Sequence, residues 1–197
     1  IIPAKEAGMR LHGDFGLNIY NSGSIYALRE LEMASVCLSF EMTLPQIRDV
    51  SKAVACELLC YGRQPLMLLR NCPVSAVAGC SSCHGDRSLT DRTGAKCPII
   101  SGHSHTNVIY NSLPGYRLDK RSELKKSGVG LITLLFTTET EKQMNEVISL
   151  YSSGEKLDYK PVALCITYCF VCNFVGNYII KGTKTAYKFT IITTHPE

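Results

Sequence analysis

The stretch Leu131-Ile132-Thr133-Leu134-Leu135-Phe136 most clearly predicts the fold, because its six residues are almost continuously apolar and β-prone. Such a run is typical of a parallel strand that is covered on both faces. Thr138 and Glu141 follow it at the spacing of a helix capping box. Apolar residues then recur at helical spacing, at Met144, Val147, Ile148 and Tyr151. The segment is therefore predicted to be a strand followed by a helix.

The same alternation is predicted in the preceding part of the chain. Short apolar runs predict strands over 17–20, 36–40 and 57–61, and an amphipathic run predicts a helix over 22–32. A second capping box, Thr43 to Gln46, predicts another helix start. Four βα units result. They favour a parallel sheet, either open and doubly wound or closed as a (β/α)8 barrel.

Four units cannot close an eight-stranded barrel, and a half-barrel leaves unpaired strand edges. We therefore predict an α/β fold in which residues 1–160 form part of a (β/α)8-like barrel. A missing N-terminal half or a second copy in a homo-oligomer would complete it. A cysteine-rich irregular insertion is predicted over 70–116, and an atypical hydrophobic tail over 161–197.

The tail contains an uncharged run of 20 residues, 161–180, between Lys160 and Lys181. That length matches a membrane-spanning helix of about 20 residues. Its β-branched and aromatic residues, together with Asn173 and Asn177, favour a buried pair of strands instead. A non-native tail, such as a frameshifted reading, is the third alternative. A membrane partner is therefore not expected.

Composition excludes several protein classes. The chain of 197 residues is 45% hydrophobic and 19% charged, which excludes a disordered or fibrous protein. Its 10 cysteines make up about 5% of the chain, less than a secreted disulfide scaffold contains. Residues 1–6 lack the pattern of a signal peptide, so we predict a reducing, cytoplasmic location. The net charge of +4 neither requires nor excludes an RNA partner.

Polar residues follow the predicted strands, where α/β proteins place their chemistry. Asn18 and Asn21 lie near the end of the first strand, Glu41 follows the second, and Tyr61 and Arg63 end the third. We predict Glu41 and Arg63 as catalytic residues and the other three as substrate-binding residues. Turn formation and helix capping are the alternative roles for each of them, and the two charged side chains could instead pair with each other.

Four cysteines lie within 26 residues, in the spacing Cys-x7-Cys-x2-Cys-x13-Cys. They are Cys72, Cys80, Cys83 and Cys97. Four thiolates can bind zinc in a tetrahedron or hold an iron–sulfur cluster. The alternative is a set of small buried thiols without a metal. Three histidines in or near this segment, His84, His103 and His105, could each replace a thiol.

Several motifs together resemble the collagenase-like peptidase family U32. They are GLNIYNS at 16–22, LSFEMTL at 38–44, YGRQPLM at 61–67, RNCP at 70–73, LTDRTG at 89–94 and YNSLP at 110–114. The resemblance covers about residues 8–160. It implies a barrel-like α/β domain with a cysteine cluster that in some relatives holds a four-iron four-sulfur centre. Members are labelled peptidases, and others serve in hydroxylation of RNA or of ubiquinone precursors.

The resemblance also implies which cysteines bind the cluster. Cys72, Cys80 and Cys83 occupy family positions, whereas Ser101 stands where the fourth cysteine is expected. Cys97 could replace that ligand only if its loop moves.

Three functions are open at this point. The first is peptide hydrolysis, in which Glu41 is the general base for a water molecule and Arg63 holds a carboxylate or an oxyanion. The second is an iron–sulfur-dependent RNA-modifying or hydroxylation function, with polar groups at the strand ends positioning the substrate. The third is an inactive scaffold fragment, consistent with the absent fourth cysteine.

Overall fold

The computed structural model describes residues 1–83, 87–102, 106–153 and 187–192. The helices are α1 (Ile2–Glu6), α2 (Ser22–Glu30), α3 (Leu44–Asp49), α4 (Pro73–Ala78), α5 (Arg121–Lys126) and α6 (Glu141–Ser153). The strands are β1 (His12–Gly13), β2 (Ser35–Cys37), β3 (Ala55–Gly62), β4 (Pro65–Leu69), β5 (Ser88–Thr90), β6 (Lys96–Ser101), β7 (Asn107–Tyr110), β8 (Gly115–Tyr116), β9 (Leu131–Phe136) and β10 (Tyr187–Ile192). Short 3-10 turns span Phe15–Leu17, Cys80–Cys83 and Leu118–Lys120.

A central sheet organises the molecule, with the strand order β1-β2-β3-β9-β10. The first four strands are parallel, and β10 pairs antiparallel with β9 over all six of its residues. The short strand β8 pairs antiparallel with the end of β3, placing Tyr116 opposite Tyr61. The predicted parallel sheet is confirmed for β1, β2, β3 and β9.

One face of this sheet and the helices form the main core. The sheet contributes Val36, Leu38, Leu58, Leu134 and Phe136, all fully buried. Each of four helices adds a buried apolar side chain, namely Ile25, Ile47, Leu124 and Val147. The core explains why the apolar residues of the predicted helices recur every three or four positions, since only one stripe of each helix meets the sheet.

The opposite face carries a row of linked polar side chains, His12, Ser35, Glu57 and Thr133, which we call the polar row. Ser35 Oγ donates a short hydrogen bond to Glu57 Oε1, and Thr133 Oγ1 donates to Glu57 Oε2 at 3.2 Å. His12 Nδ1 lies 2.6 Å from Ser35 Oγ. Because the single hydroxyl proton of Ser35 goes to the carboxylate, His12 is the donor in this contact. The row links four adjacent parallel strands.

The strand predictions near the centre of the sheet are confirmed, whereas the first is wrong. β9 has the predicted bounds, and β3 extends the predicted strand at both ends. In the first unit, the strand β1 lies earlier, at His12–Gly13, and Phe15–Leu17 forms a 3-10 turn. Of the predicted strand 17–20, Ile19 alone makes an isolated bridge, to Leu38. Asp14 caps the turn by accepting the Phe15 N–H at 2.8 Å.

One of the two predicted capping boxes is confirmed and the other is wrong. The Thr43–Gln46 capping box of α3 is confirmed. The Thr138–Glu141 box is wrong, because the Thr140 N–H donates to Gln143 Oε1 at 2.8 Å and the Gln143 N–H donates to Thr140 Oγ1. The box is thus two residues later than predicted. Helix α2 ends at Glu30 rather than at residue 32 because Glu32 has a left-handed φ of 57°.

The structure is mixed α/β, as predicted, but the central sheet is open in the described part of the chain. Its edges are β1 and β10, so a (β/α)8 barrel is not confirmed. The described residues of the predicted insertion are not all irregular, because its strands β5, β6 and β7 join β4 in a second, antiparallel sheet in the order β4-β7-β6-β5. Its strands are three to six residues long, too short for a clear apolar pattern.

Only residues 187–192 of the predicted hydrophobic tail are described, and they form β10 at the edge of the central sheet. The uncharged run 161–180 lies outside the described residues. Its three interpretations, a membrane span, a buried strand pair and a non-native tail, therefore stay predictions.

Candidate functional site

The candidate site lies where the parallel strands of the central sheet end. The Ser39 N–H donates to the Ile19 carbonyl at 2.9 Å, so the segments that follow the 3-10 turn and β2 run side by side. Tyr20 Oη donates to the Glu41 carbonyl at 3.5 Å. The strand-end rule therefore brings the Tyr20–Asn21 segment to Glu41, as the sequence predicts. We call this region the carboxyl edge.

Glu41 is half-buried at the carboxyl edge. Its backbone N–H donates to Ser39 Oγ at 3.4 Å, which fixes the turn that carries it. Within the part of the chain that the structure describes, its carboxylate forms neither a hydrogen bond nor an ion pair. An unpaired carboxylate in a partly desolvated setting can accept a proton from a bound water molecule.

Arg63 connects the loops around the edge and does not pair with Glu41. Its Nε donates to Thr138 Oγ1 at 3.1 Å. Its Nη1 donates to the carbonyl oxygens of Asn111, at 2.9 Å, and of Ser112. The alternative in which Arg63 and Glu41 form an ion pair is therefore wrong. Arg63 holds the loop after β7 against the loop after β9.

Tyr61 is buried beside Phe136, with 5.3 Å between the ring centroids. Its hydroxyl donates to Glu139 Oε1 at 3.2 Å. The other oxygen of Glu139 accepts the N–H groups of Thr137, at 2.6 Å, and Thr138, at 3.0 Å. Sequence reasoning missed Glu139. The strand-end rule would have found it, since it lies three residues after β9.

Asn18 and Asn21 both have local structural roles. Asn18 is exposed and ends the 3-10 turn with a left-handed φ of 48°. Asn21 caps helix α2, its Oδ1 accepting the Ser24 N–H at 2.9 Å. Caps and turns are the roles that these residue types favour most. Substrate binding by either residue stays a prediction.

Arg117, just after β8, was also missed. Its backbone N–H donates to the Cys60 carbonyl at 3.0 Å, and its Nη2 donates to the Phe40 carbonyl at 3.1 Å. These bonds place its guanidinium between the ends of β2 and β3. Burial lowers the pKa of Arg117, and the opposing effect of the Asp119 charge is smaller. No sequence signal pointed to it, because it lies just outside the predicted insertion and far along the chain from both partners.

Part of the chain matches a known family. The model of Peptidase family U32 matches residues 1–89. These residues are similar to peptidase family U32. The predicted resemblance is thereby confirmed for this segment, which we call the U32 segment, and the match does not extend to residues 90–160. The chain has no match among curated proteins or among solved structures.

The U32 segment contains five strands of the structure in whole or in part, β1 to β5. Glu41, Tyr61 and Arg63 lie inside it. Arg117 and Glu139 lie outside it, although they reach the same carboxyl edge.

The U32 segment also contains three of the four predicted metal ligands. Cys72 is half-buried at the start of α4, and Cys80 is exposed beyond its end. Six helical residues between them span about 9 Å. The fourth, Cys97, is half-buried in β6. Among the described side chains no group of three or more residues could hold a metal ion.

The side chain of Cys83 and residues His84, His103 and His105 lie outside the described residues. The ligand set Cys72, Cys80, Cys83 and Cys97 therefore stays a prediction. At the position where the family pattern expects a cysteine, Ser101 Oγ donates to Asn107 Oδ1 at 2.7 Å.

Two other cysteines belong to the core. Burial raises the pKa of Cys56 to about 11 and that of Cys60 to about 12. Both thiols are therefore protonated at neutral pH, and a protonated thiol is a poor nucleophile and a poor metal ligand. These cysteines have a packing role.

Within the described ranges, no helix has both the length and the apolar composition that crossing a membrane requires.

Proposed function

We propose that this protein is a U32-type peptidase that hydrolyses peptide bonds at the carboxyl edge. The observation that carries this proposal is the half-buried carboxylate of Glu41, which lies in the U32 segment and is unpaired in the described part of the chain. The family supports hydrolysis in general, and the unpaired carboxylate supports Glu41 as its general base.

In the proposed reaction, Glu41 accepts a proton from a water molecule as the water oxygen attacks the scissile carbonyl carbon. The tetrahedral intermediate then collapses, the C–N bond breaks, and Glu41 returns the proton to the leaving amine. Arg63 carries five N–H donors, of which its three described hydrogen bonds use at least two. We assign it the developing oxyanion, with Asn18, Asn21 and Tyr61 contacting the substrate around the bond.

Replacing Glu41 by Gln is expected to reduce peptide cleavage at least about 100-fold, because an amide of the same shape cannot accept the proton. The measurement is the rate of gelatin cleavage by the purified protein. Glu30→Gln is the matched control, since Glu30 is exposed at the end of α2 and pairs with its neighbour Arg29. An E41Q variant that cleaves gelatin at the rate of the unmodified protein would remove Glu41 from the mechanism.

A metal site in the cysteine-rich segment is a separate proposal. The described thiols do not by themselves fit a metal site, so no step of the hydrolysis is assigned to a metal. We propose Cys72, Cys80, Cys83 and Cys97 as ligands of an iron–sulfur cluster or, alternatively, of zinc, which would stabilise this segment structurally.

Anaerobic purification followed by iron, sulfide and zinc analysis tests the metal site. If the proposal is right, one cluster or one zinc ion per chain is expected, and Cys80→Ser is expected to lower that content severalfold. Cys60→Ser is the control, because Cys60 is buried in the core. A protein without iron or zinc would contradict the proposal. Iron together with acid-labile sulfide would support the RNA-modifying or hydroxylation alternative, which no described contact favours.

We further propose a peptide as the substrate and the cytoplasm as the location. A second copy of the chain, or a missing N-terminal half, remains the proposed means of completing the sheet.

A further inference from the structure

Arg117 is a buried cation whose charge is not neutralised by its described neighbours. The residue is only 9% exposed, and its Nε is buried without a hydrogen-bond partner among the described residues. It takes part in none of the ion pairs that the described residues form. A buried cation without a counter-charge costs several kcal/mol, so the residues that the structure describes stabilise this guanidinium incompletely.

The groups around Arg117 do not supply that counter-charge. The Phe40 carbonyl, which accepts from Nη2, is neutral. Cys60 is a protonated thiol at neutral pH, and the Tyr151 hydroxyl donates its proton to the Cys60 carbonyl at 2.5 Å. Asp119 is exposed to solvent. The charge of Arg117 is therefore compensated only partly by the described part of the chain.

A second unsatisfied group lies at the same edge of the sheet. Thr137, the first residue after β9, has a buried hydroxyl oxygen without a partner among the described residues. Unsatisfied buried polar atoms are uncommon in folded proteins and call for a specific explanation. A guanidinium and a hydroxyl are both hydrogen-bond donors, so both suit an anionic oxygen.

We propose that Arg117 binds a carboxylate of the peptide substrate at the carboxyl edge. A guanidinium presents parallel N–H groups in a planar fork that matches the two oxygens of a carboxylate. This inference rests on the proposed peptidase function for the nature of the ligand.

The position of Arg117 also connects this proposed carboxylate site to Glu41. Phe40, whose carbonyl Arg117 holds, immediately precedes Glu41. Arg117 is thus hydrogen-bonded to the residue next to the proposed general base, and because consecutive Cα atoms are about 3.8 Å apart, we expect a carboxylate at Arg117 to lie near the scissile bond. The substrate class is therefore a peptide with a carboxylate close to the scissile bond, either its C-terminus or an acidic side chain.

The test compares three dansyl-labelled hexapeptides made of two Gly-Pro-Ala units. One has a free C-terminal carboxylate, one ends in an amide, and one is amidated but has Asp as its last residue. Binding is measured by fluorescence anisotropy, and cleavage is followed separately by mass spectrometry. We expect the free acid, the Asp peptide or both to bind at least tenfold more tightly than the neutral amide, and the tighter of the two identifies the source of the carboxylate.

Variants then assign this preference to Arg117. Arg117→Lys keeps the charge but loses the planar fork, and we expect it to reduce the preference to less than threefold. Arg117→Gln is expected to abolish it. Circular dichroism checks that each variant folds. If Arg117→Gln does not fold, the binding preference of Arg117→Lys alone tests the carboxylate site. Arg92→Gln is the matched control, because Arg92 is exposed in the turn between β5 and β6.

Equal binding of the three peptides, binding of none, or an unchanged preference in Arg117→Lys would overturn the carboxylate site. The peptidase proposal fails in a different way. A preference for the carboxylate without any cleavage would support the Arg117 site and contradict hydrolysis. Equal binding and equal cleavage of all three peptides would support hydrolysis and contradict the Arg117 site.

Discussion

Replacing Gly62 by Ala is expected to lower the free energy of unfolding by about 4 kcal/mol. Gly62 ends β3 with a φ of 140°, a conformation that costs other residues about 1–3 kcal/mol. An added Cβ would also lie 2.5 Å from the Leu135 carbonyl oxygen and 2.8 Å from the Leu135 Cβ. Because Leu135 lies in the neighbouring strand β9, relief of this overlap requires the two central strands to separate. Urea denaturation measures the effect.

Two other glycines separate the contributions of backbone conformation and steric overlap. Gly94 has a left-handed φ of 86° but open space around its Cβ position, so Gly94→Ala is expected to cost about 1 kcal/mol. Gly130 has open space and no positive φ, so Gly130→Ala is expected to be close to neutral. A Gly62→Ala variant no less stable than Gly94→Ala would contradict the close approach of β3 and β9.

Replacing Glu57 by Ala is expected to lower the free energy of unfolding by about 3 kcal/mol. The change removes the acceptor of two hydroxyl donors in the polar row and leaves the fully buried hydroxyls of Ser35 and Thr133 without it. A lost hydrogen bond to a charged group costs about 1.5–3 kcal/mol. The measurement is again urea denaturation at neutral pH.

The control for Glu57 is Thr133→Val, which removes one donor and replaces it with an apolar group of the same shape. We expect this variant to cost about 1 kcal/mol, because Glu57 keeps its hydrogen bond from Ser35. A Glu57→Ala variant within 0.5 kcal/mol (roughly the scatter of surface substitutions) of the unmodified protein would show that the polar row does not stabilise the sheet.

The parts of the fold that could be predicted are those whose signal is local. The strand at 131–136 is a continuous apolar run, and the start of α3 is set by Thr43 and Gln46, three residues apart. The neighbourhood of Glu41 was also predictable, because the ends of adjacent parallel strands meet at one edge. In contrast, the second sheet is made of short strands with weak patterns, and its pairing depends on contacts such as that of Ile99 with Ile109.

The residues that could not be predicted, Glu57 and Arg117, have partners that are far away along the chain. Glu57 follows Ala55 and Cys56 at the start of an apolar run, and by sequence it is only a charged residue at a strand boundary. Its partners Ser35 and Thr133 are 22 and 76 positions away along the chain. Arg117 likewise reaches Phe40 across 77 positions. A single sequence contains no pattern that links such distant positions, so pairing of this kind is visible only in the folded chain.

The two edges of the central sheet differ in whether an additional parallel strand can pair with them. At one edge, β10 is antiparallel to its neighbour β9 and is paired along its full length, whereas at the other edge β1 is only two residues long. A further parallel strand cannot pair with β9 unless β10 is displaced, so the described sheet cannot be extended by parallel strands at that edge. Any addition that continues the parallel series has to enter beside His12–Gly13, next to the histidine of the polar row. The parallel part of this sheet can thus be extended only at the β1 edge while β10 stays in place.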